Sequence, residues 1–314
     1  MEREKSKAFA GRRIVTQAGS ALLFLAGLSL LPVSPAAAAT LDRVRETGKL
    51  VIGFRVDARP FSYQDASGKA IGYSATLCEK VAAEVKTELG LQDLALEWIP
   101  VTLDQRFQAI AQGRVDLVCA ADTATLERRK EVSFSLPIFP SGIAAVLRAD
   151  APAPLRDVLA GRPASGPIWR ASPARILEDK TFSVVTGTTG ESWLSGRLKD
   201  FQLTANVDPV ASYDDGIMRV LDRSSDVFFG DRPILLEAAS ESASAGDLTV
   251  LDKLFTYEPV ALTLGRNDDD FRLVVDRALS AAFKSKDFPD VYSKWFGAPD
   301  DAVLTFFRQS AMPE

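Results

Sequence analysis

Two spacings of apolar residues take turns along this chain. Leu77, Val81, Val85 and Leu89 recur every fourth residue, with Lys80, Glu84 and Lys86 on other faces, which predicts a helix from Gly72 through Leu89. Before it stand a short helix over 41–48 ended by Gly48, a strand from Leu50 to about Arg55, a loop broken by Pro60 and a turn from Asp65 to Gly68. After it come a strand over 94–101, a helix near 103–112 and an apolar strand in which Val115, Leu117 and Cys119 alternate with Asp116 and Val118. Strand and helix in alternation imply a mostly parallel sheet with helices on its faces.

A second series begins at Phe182. It runs through the strand FSVVTG, the turn TTG, a helix from Glu191, a strand near 203–208 and a helix over 214–223. The strand DVFFGD, a helix over 232–242 and a strand over 248–252 complete it. PIFPSGIAAVL at 137–147 reads as the crossover between the two series. The stretch 149–174, rich in Ala, Pro, Gly and Arg with no sustained period, reads as a surface loop. VALTL at 260–264 is followed by an amphipathic helix over 268–285, showing Phe271, Val274, Val275, Ala278 and Ala282 on one side, and by a final helix bearing Tyr292, Trp295 and Phe296. Two such α/β lobes leave a crevice at the carboxyl ends of their strands, where ligands of open α/β sheets bind.

The chemistry concentrates in VDLVCAADTATLERR at 115–129. The strand should run into a small-residue turn that opens a helix carrying Arg128, with Thr123 or Thr125 as its N-cap. Hydroxyls, free amides and a guanidinium fork together suit a carboxylate. The alternative is a capped helix with Arg128 on the solvated surface.

At 314 residues, 46% apolar and 25% charged, the chain has room for two domains of a globular protein. Lys5, Lys7, Arg12 and Arg13, the apolar run Ala21–Leu31 and Ala36–Ala39 form the three parts of a secretory signal cleaved after Ala39. Its loss removes a net charge of +3 and takes the total from −5 to −8. So acidic a protein argues against nucleic acid or an anionic membrane as its partner. In an exported chain the only two cysteines, Cys78 and Cys119, read as a disulfide, the alternative being two small buried hydrophobes. The absence of histidine excludes His-dependent triads and most catalytic zinc sites. GTTGES lacks the lysine of a phosphate-binding loop, and no cofactor or metal is called for.

From Leu41 to Phe296 the chain resembles the family 3 periplasmic solute-binding proteins of amino-acid ABC transporters. The stretches that carry the resemblance are LDRVRETGKLVIGFR, PFSYQDASGKAIGYS, GRVDLVCAADTATLERRKEVSFSLP, VVTGTTGES, DVFFGDR and KWFG, in this order. It implies a type II fold, two α/β lobes joined by two crossing strands, with 41–141 plus 259–314 in lobe one and 142–258 in lobe two. A monomer would close its lobes on a small amino acid and deliver it to a membrane permease. By the resemblance Arg128 grips the ligand α-carboxylate, Thr123 and the main chain of Ala121 contact it, and Thr188 and Thr189 complete the carboxylate site. Asp231 receives the α-ammonium and Phe61 packs near the ligand. In the glutamate- and aspartate-binding branch, arginines at the places of Arg55 and Arg106 read the distal carboxylate. This chain departs from that branch in carrying Leu103 where the branch has a serine, in lacking a histidine near Asp214, and in carrying Asp122 where relatives usually have Thr or an apolar residue. The implied ligand is a polar amino acid, either acidic or uncharged. Read alone, Asp231 serves equally as the N-cap of the helix beginning near Pro233.

Two other functions use the same fold. One is a periplasmic dehydratase of cyclohexadienyl type, with Glu191 or Asp231 as general acid. The other is an exported accessory or sensory protein, for which Asp122 and the stretch 149–174 are the motivating features.

Overall fold

The computed structural model describes residues 39–162 and 173–313. The segment read above as a secretory signal, Ala39 apart, lies outside the described residues, as do residues 163–172. The first half of the chain runs α1 (Thr40–Thr47), β1 (Lys49–Phe54), the short strands β2 (Asp57–Ala58), β3 (Ser62–Gln64) and β4 (Ala70–Ile71), then α2 (Tyr73–Glu88). It continues with β5 (Ala95–Pro100), α3 (Arg106–Ala111), β6 (Leu117–Thr123), β7 (Ser133–Ser141), β8 (Ile143–Arg148) and α4 (Ala153–Ala160). Beyond residue 172 come β9 (Thr181–Val185), α5 (Thr189–Asp200), β10 (Asn206–Val210), α6 (Tyr213–Leu221), β11 (Val227–Asp231) and α7 (Arg232–Glu241). β12 (Leu248–Val250), β13 (Glu258–Leu264), α8 (Asp269–Lys284), α9 (Phe288–Phe296) and α10 (Asp301–Ser310) end it.

The strands build two five-stranded sheets, ordered β5-β1-β6-β13-β7 and β10-β9-β11-β8-β12. In the first, β1 lies parallel between β5 and β6, while β13 runs antiparallel to β6 and β7. In the second, β9 lies parallel between β10 and β11, and β8 runs antiparallel to β11 and β12. The chain therefore passes between sheets twice, from β7 to β8 and from β12 to β13. The two passages meet at Gly142, where a Cβ would fall 2.1 Å from the carbonyl oxygen of Thr256, so only glycine lets the crossing strands touch. Ile143 N donates to Thr256 Oγ1 (2.9 Å) and Phe255 N to the Ile143 carbonyl (2.8 Å), locking the crossing.

Burial follows the periodicity of the sequence. Leu77, Val81 and Val85 of α2 pack with Leu50, Ile52 and Leu117 of the first sheet and with Phe271, Val275 and Leu279 of α8. Each sheet carries a smaller cluster on its other face, around Val118, Ala120 and Phe134 in the first and Phe182, Val184 and Phe229 in the second. Cys78 and Cys119 form a disulfide tying α2 to β6, with Cα atoms 6.4 Å apart.

The structure corrects several sequence expectations. The helix foreseen beyond Thr123 is a single 3₁₀ turn, Arg128–Lys130, because the chain re-enters the sheet at Ser133 and leaves no length for more. Thr125 still caps it, accepting from Arg128 N at 3.1 Å. Within 149–174, read as loop, residues 153–160 form α4, bracketed by Pro152 and Gly161 with Leu155 and Leu159 buried four apart. The strand placed near 203–208 is β10, which begins at Asn206. α10, not foreseen, buries Phe307 against Phe283 and Phe288.

Candidate functional site

Eight of the nine sequence-proposed ligand residues line one cavity at the carboxyl ends of both sheets. From the first sheet, β1 hands on Arg55, α3 begins with Arg106, β6 supplies Ala121 and Thr123, and the 3₁₀ turn supplies Arg128. From the second, the β9–α5 turn supplies Thr188 and Thr189, and β11 ends in Asp231. Phe61 is not among them. It is fully buried in an aromatic cluster with Tyr73, Phe139 and Phe296, packing the lobe rather than facing the cavity. Asp214 faces a neighbouring cavity with Asp57 and Arg59.

The three guanidinium groups differ in what they already hold. Arg55 donates from Nε to Asp57 Oδ1 at 2.8 Å. Arg106 donates from Nε to Asp122 Oδ1 at 2.5 Å, in an ion pair whose side chains are 4% and 3% exposed. Asp122 is completed by Thr263 Oγ1, which donates to its other oxygen at 2.9 Å. Arg128 has no carboxylate partner among the described residues; its Nη1 donates to the Thr123 carbonyl at 2.9 Å. Burial lowers the pKa of Arg128, with the charge of Arg106 adding to the effect and Asp122, Asp231 and Glu258 opposing it. Phe107 lies against both arginines, its ring centre 4.0 Å from the guanidinium carbon of Arg106 and 5.5 Å from that of Arg128.

Opposite them, Asp231 makes no cap hydrogen bond to α7, although it occupies the N-cap position. Its oxygens accept from Ser141 Oγ (3.1 Å) and Tyr213 OH (3.4 Å). Gly230 makes this approach feasible, since a Cβ there would fall 2.7 Å from the Tyr213 ring. Burial, reinforced by the nearby charge of Glu258, pushes the Asp231 carboxyl up to about 6. Glu258, at the start of β13, is buried and accepts hydroxyl hydrogen bonds from Thr123 (3.1 Å), Thr256 (3.1 Å) and Thr189. Neither acid has a cationic side-chain partner among the described residues.

The second-sheet turn is held by a reciprocal cap of the capping-box kind, its return bond reaching one residue before the N-cap Thr188. Thr188 Oγ1 accepts from Glu191 N at 3.3 Å, and Glu191 Oε2 accepts from Gly187 N at 2.8 Å. Glu191, one of the two acids considered for dehydratase chemistry, is thus engaged in holding the turn.

Reading the sequence missed Glu258, Tyr213 and the Arg106–Asp122 pair. Glu258 gave no signal, because nothing local announces that a strand start will meet hydroxyls from two lobes, Thr123 and Thr189. Asp122 did give one: it follows Val118 and Ala120 at steps of two, so an acid falls on a buried strand face and needs a partner there. Among the described residues no cluster of acids and cysteines has the spacing of a metal site.

Among the described residues, a guanidinium without an anion faces a carboxylate without a cation across a cleft between two α/β lobes, with a second unpaired acid, Glu258, beside it on the first sheet. The chain belongs to the bacterial extracellular solute-binding proteins, family 3, matching that family over residues 50–298. Among curated relatives, the L-glutamate/L-aspartate-binding protein of Pseudomonas aeruginosa is 28% identical over 288 residues, covering 91% of this chain and 89% of that protein. The glutamate/aspartate import solute-binding protein of Escherichia coli is 25% identical over 280 residues, covering 89% and 87%. The same fold is seen in the crystal structure of an ancestral amino-acid-binding protein described as a precursor of cyclohexadienyl dehydratase. It has a TM-score of 0.66 at 24% identity and covers 82% of this chain and 100% of that one.

Proposed function

We propose that this protein is the binding component of an amino-acid ABC importer, exported by its first 39 residues and handing one α-amino acid to a membrane permease. The observation that carries the reading is the meeting in one cavity of Arg128 with Asp231, neither of which has an oppositely charged side-chain partner among the described residues, while Glu258, bonded to the lining residues Thr123 and Thr189, adds a second such acid just behind the lining. A zwitterion leaving water loses its hydration at both charges, and recovers it only where a fork of donors meets the carboxylate and acids meet the ammonium. Arg128 and the amides of the Thr188–Thr189 turn meet the first requirement; Asp231, Glu258 and their hydroxyls meet the second. The cavity measures about 20 Å³, little more than one water, so an amino acid enters only when the lobes part about the crossing at Gly142.

The test is a thermal-shift screen of the purified protein against the twenty amino acids and common dicarboxylates. A ligand bound only by the folded state raises the melting temperature, by about 2.7 kcal/mol of added stability at a hundredfold excess over Kd. One or a few α-amino acids should do so. No shift with any of them, or conversion of prephenate or arogenate to an aromatic product, would overturn the reading.

A further inference from the structure

The Arg106–Asp122 pair lies outside the α-carboxylate and ammonium contacts and bears on which side chain the ligand carries. Three observations converge. Asp122 itself does not line the cavity; it stands behind Arg106, binding Nε with one oxygen and Thr263 with the other. Arg106 itself lines the cavity, and its Nη groups make no hydrogen bond to a described residue. Arg55, the other guanidinium proposed for the distal end, is likewise held by its own acid, Asp57, at 2.6 Å.

Both distal arginines therefore reach the cavity already paired, Arg106 with the buried Asp122 and Arg55 with the half-exposed Asp57. They can donate hydrogen bonds, but they bring no free positive charge. At the other end, Arg128 is set against Asp231 in the lining and Glu258 just behind it, so among the described residues the site has no surplus cation to set against a second carboxylate. A ligand of net charge −1 would enter buried and uncompensated, which is the costly case for a charge leaving water. A ligand with a cationic side chain would meet guanidinium N–H groups and find no acceptor turned towards it. An uncharged acceptor, such as an amide carbonyl, matches what is offered.

We propose that Asp122 sets the ligand class of this site by neutralising Arg106, so that the protein prefers an α-amino acid with an uncharged, carbonyl-bearing side chain over its acidic counterpart. The proposal rests on the zwitterion reading given above and adds to it the identity of the distal group. Asp122 acts through Arg106 and does not touch the ligand; it is a positioning and charge-setting residue.

The experiment is titration calorimetry with L-glutamine and L-glutamate on the parent protein and on Asp122→Asn, Arg106→Gln and the double variant. The parent should bind glutamine more tightly than glutamate by about tenfold or more, which corresponds to about 1.4 kcal/mol. Asp122→Asn keeps the shape and the Thr263 contact but frees the charge of Arg106, and should shift the ratio towards glutamate by at least about tenfold. The double variant should return the ratio to within about threefold of the parent, because removing both charges restores neutrality. A general packing defect would weaken both ligands alike and leave the ratio alone. A parent that prefers glutamate, or an Asp122→Asn protein whose ratio is unchanged, overturns the proposal while leaving the zwitterion site intact. If Asp122→Asn does not fold, the parent's own preference and the double variant decide. Failure of both ligands and of every other amino acid to bind the parent overturns the zwitterion reading, and this inference with it.

Discussion

The two faces of the cleft are built from the same kind of unit, a strand leading into a turn and a helix start, yet they carry opposite chemistry. The first-sheet face presents Arg55, Arg106 and Arg128 with one hydroxyl, Thr123. The second-sheet face presents Asp231, Tyr213 and the capped turn at Thr188. Glu258 stands on the strand that returns from one lobe to the other. On the proposed reading, Arg128 from the first face and Asp231 from the second would each satisfy one charge of a zwitterion, and both would do so only when the lobes meet, which would tie recognition to closure.

Removing the one unpaired cation from the first face is the strongest way to break this comparison. Arg128→Ala should cost about 3–5 kcal/mol of binding, the usual loss when one partner of a buried charge pair is deleted. Since a micromolar ligand binds with only about 8 kcal/mol, calorimetry should detect no binding. Parent-like affinity would mean that the carboxylate lies elsewhere.

On the opposite face, Asp231→Asn should cost less. Glu258 remains to meet the ammonium, and the loss should be near the value of one charge-assisted hydrogen bond, about 1.5–3 kcal/mol. An effect as large as that of Arg128→Ala would make Asp231 the sole counter-ion and Glu258 a bystander.

The pH dependence separates the faces without mutation. Asp231 titrates at about 6 in the folded protein against an ordinary value of 3.8, so folding favours its protonated form and its contribution to stability falls as pH rises from about 4 to about 6. Binding runs the other way, because an ammonium needs the ionised acid. Affinity should weaken as pH drops below 6, by at most tenfold per unit for one linked proton. Asp231→Asn should flatten that slope. A slope that survives the substitution would assign the proton to another group.

Legibility in the sequence followed locality. The two alternating series announce both sheets, whereas Arg128, Thr188 and Asp231 stand out as ligand candidates only through the resemblance, since read alone Asp231 serves equally as an N-cap and Thr188 as an ordinary turn. Phe61 was misplaced because an aromatic next to a proline looks the same whether it faces a ligand or, as here, Tyr73 and Phe139. Glu258 and the crossing at Gly142 depend on contacts between residues more than a hundred positions apart, which no local period encodes. Arg106 and Asp122 lie sixteen apart, and their pairing required knowing that α3 covers the β6 face bearing Val118 and Ala120.

The smallest effect tests how the second face is held. Thr188 Oγ1 accepts from Glu191 N and donates to the Val185 carbonyl at 2.7 Å, so its hydroxyl is engaged on both sides by the chain itself. Thr188→Ala should therefore lower stability by about 1 kcal/mol, the ordinary value of an N-cap. That is a melting-temperature drop of about 2 °C in a protein of this size. Affinity should fall by no more than the same amount, through loosening of the turn amides, and Thr188→Ser should restore both, since serine caps equally well. A loss of affinity much larger than the loss of stability, not rescued by serine, would show that the threonine side chain touches the ligand and that the capping box is not what shapes this face.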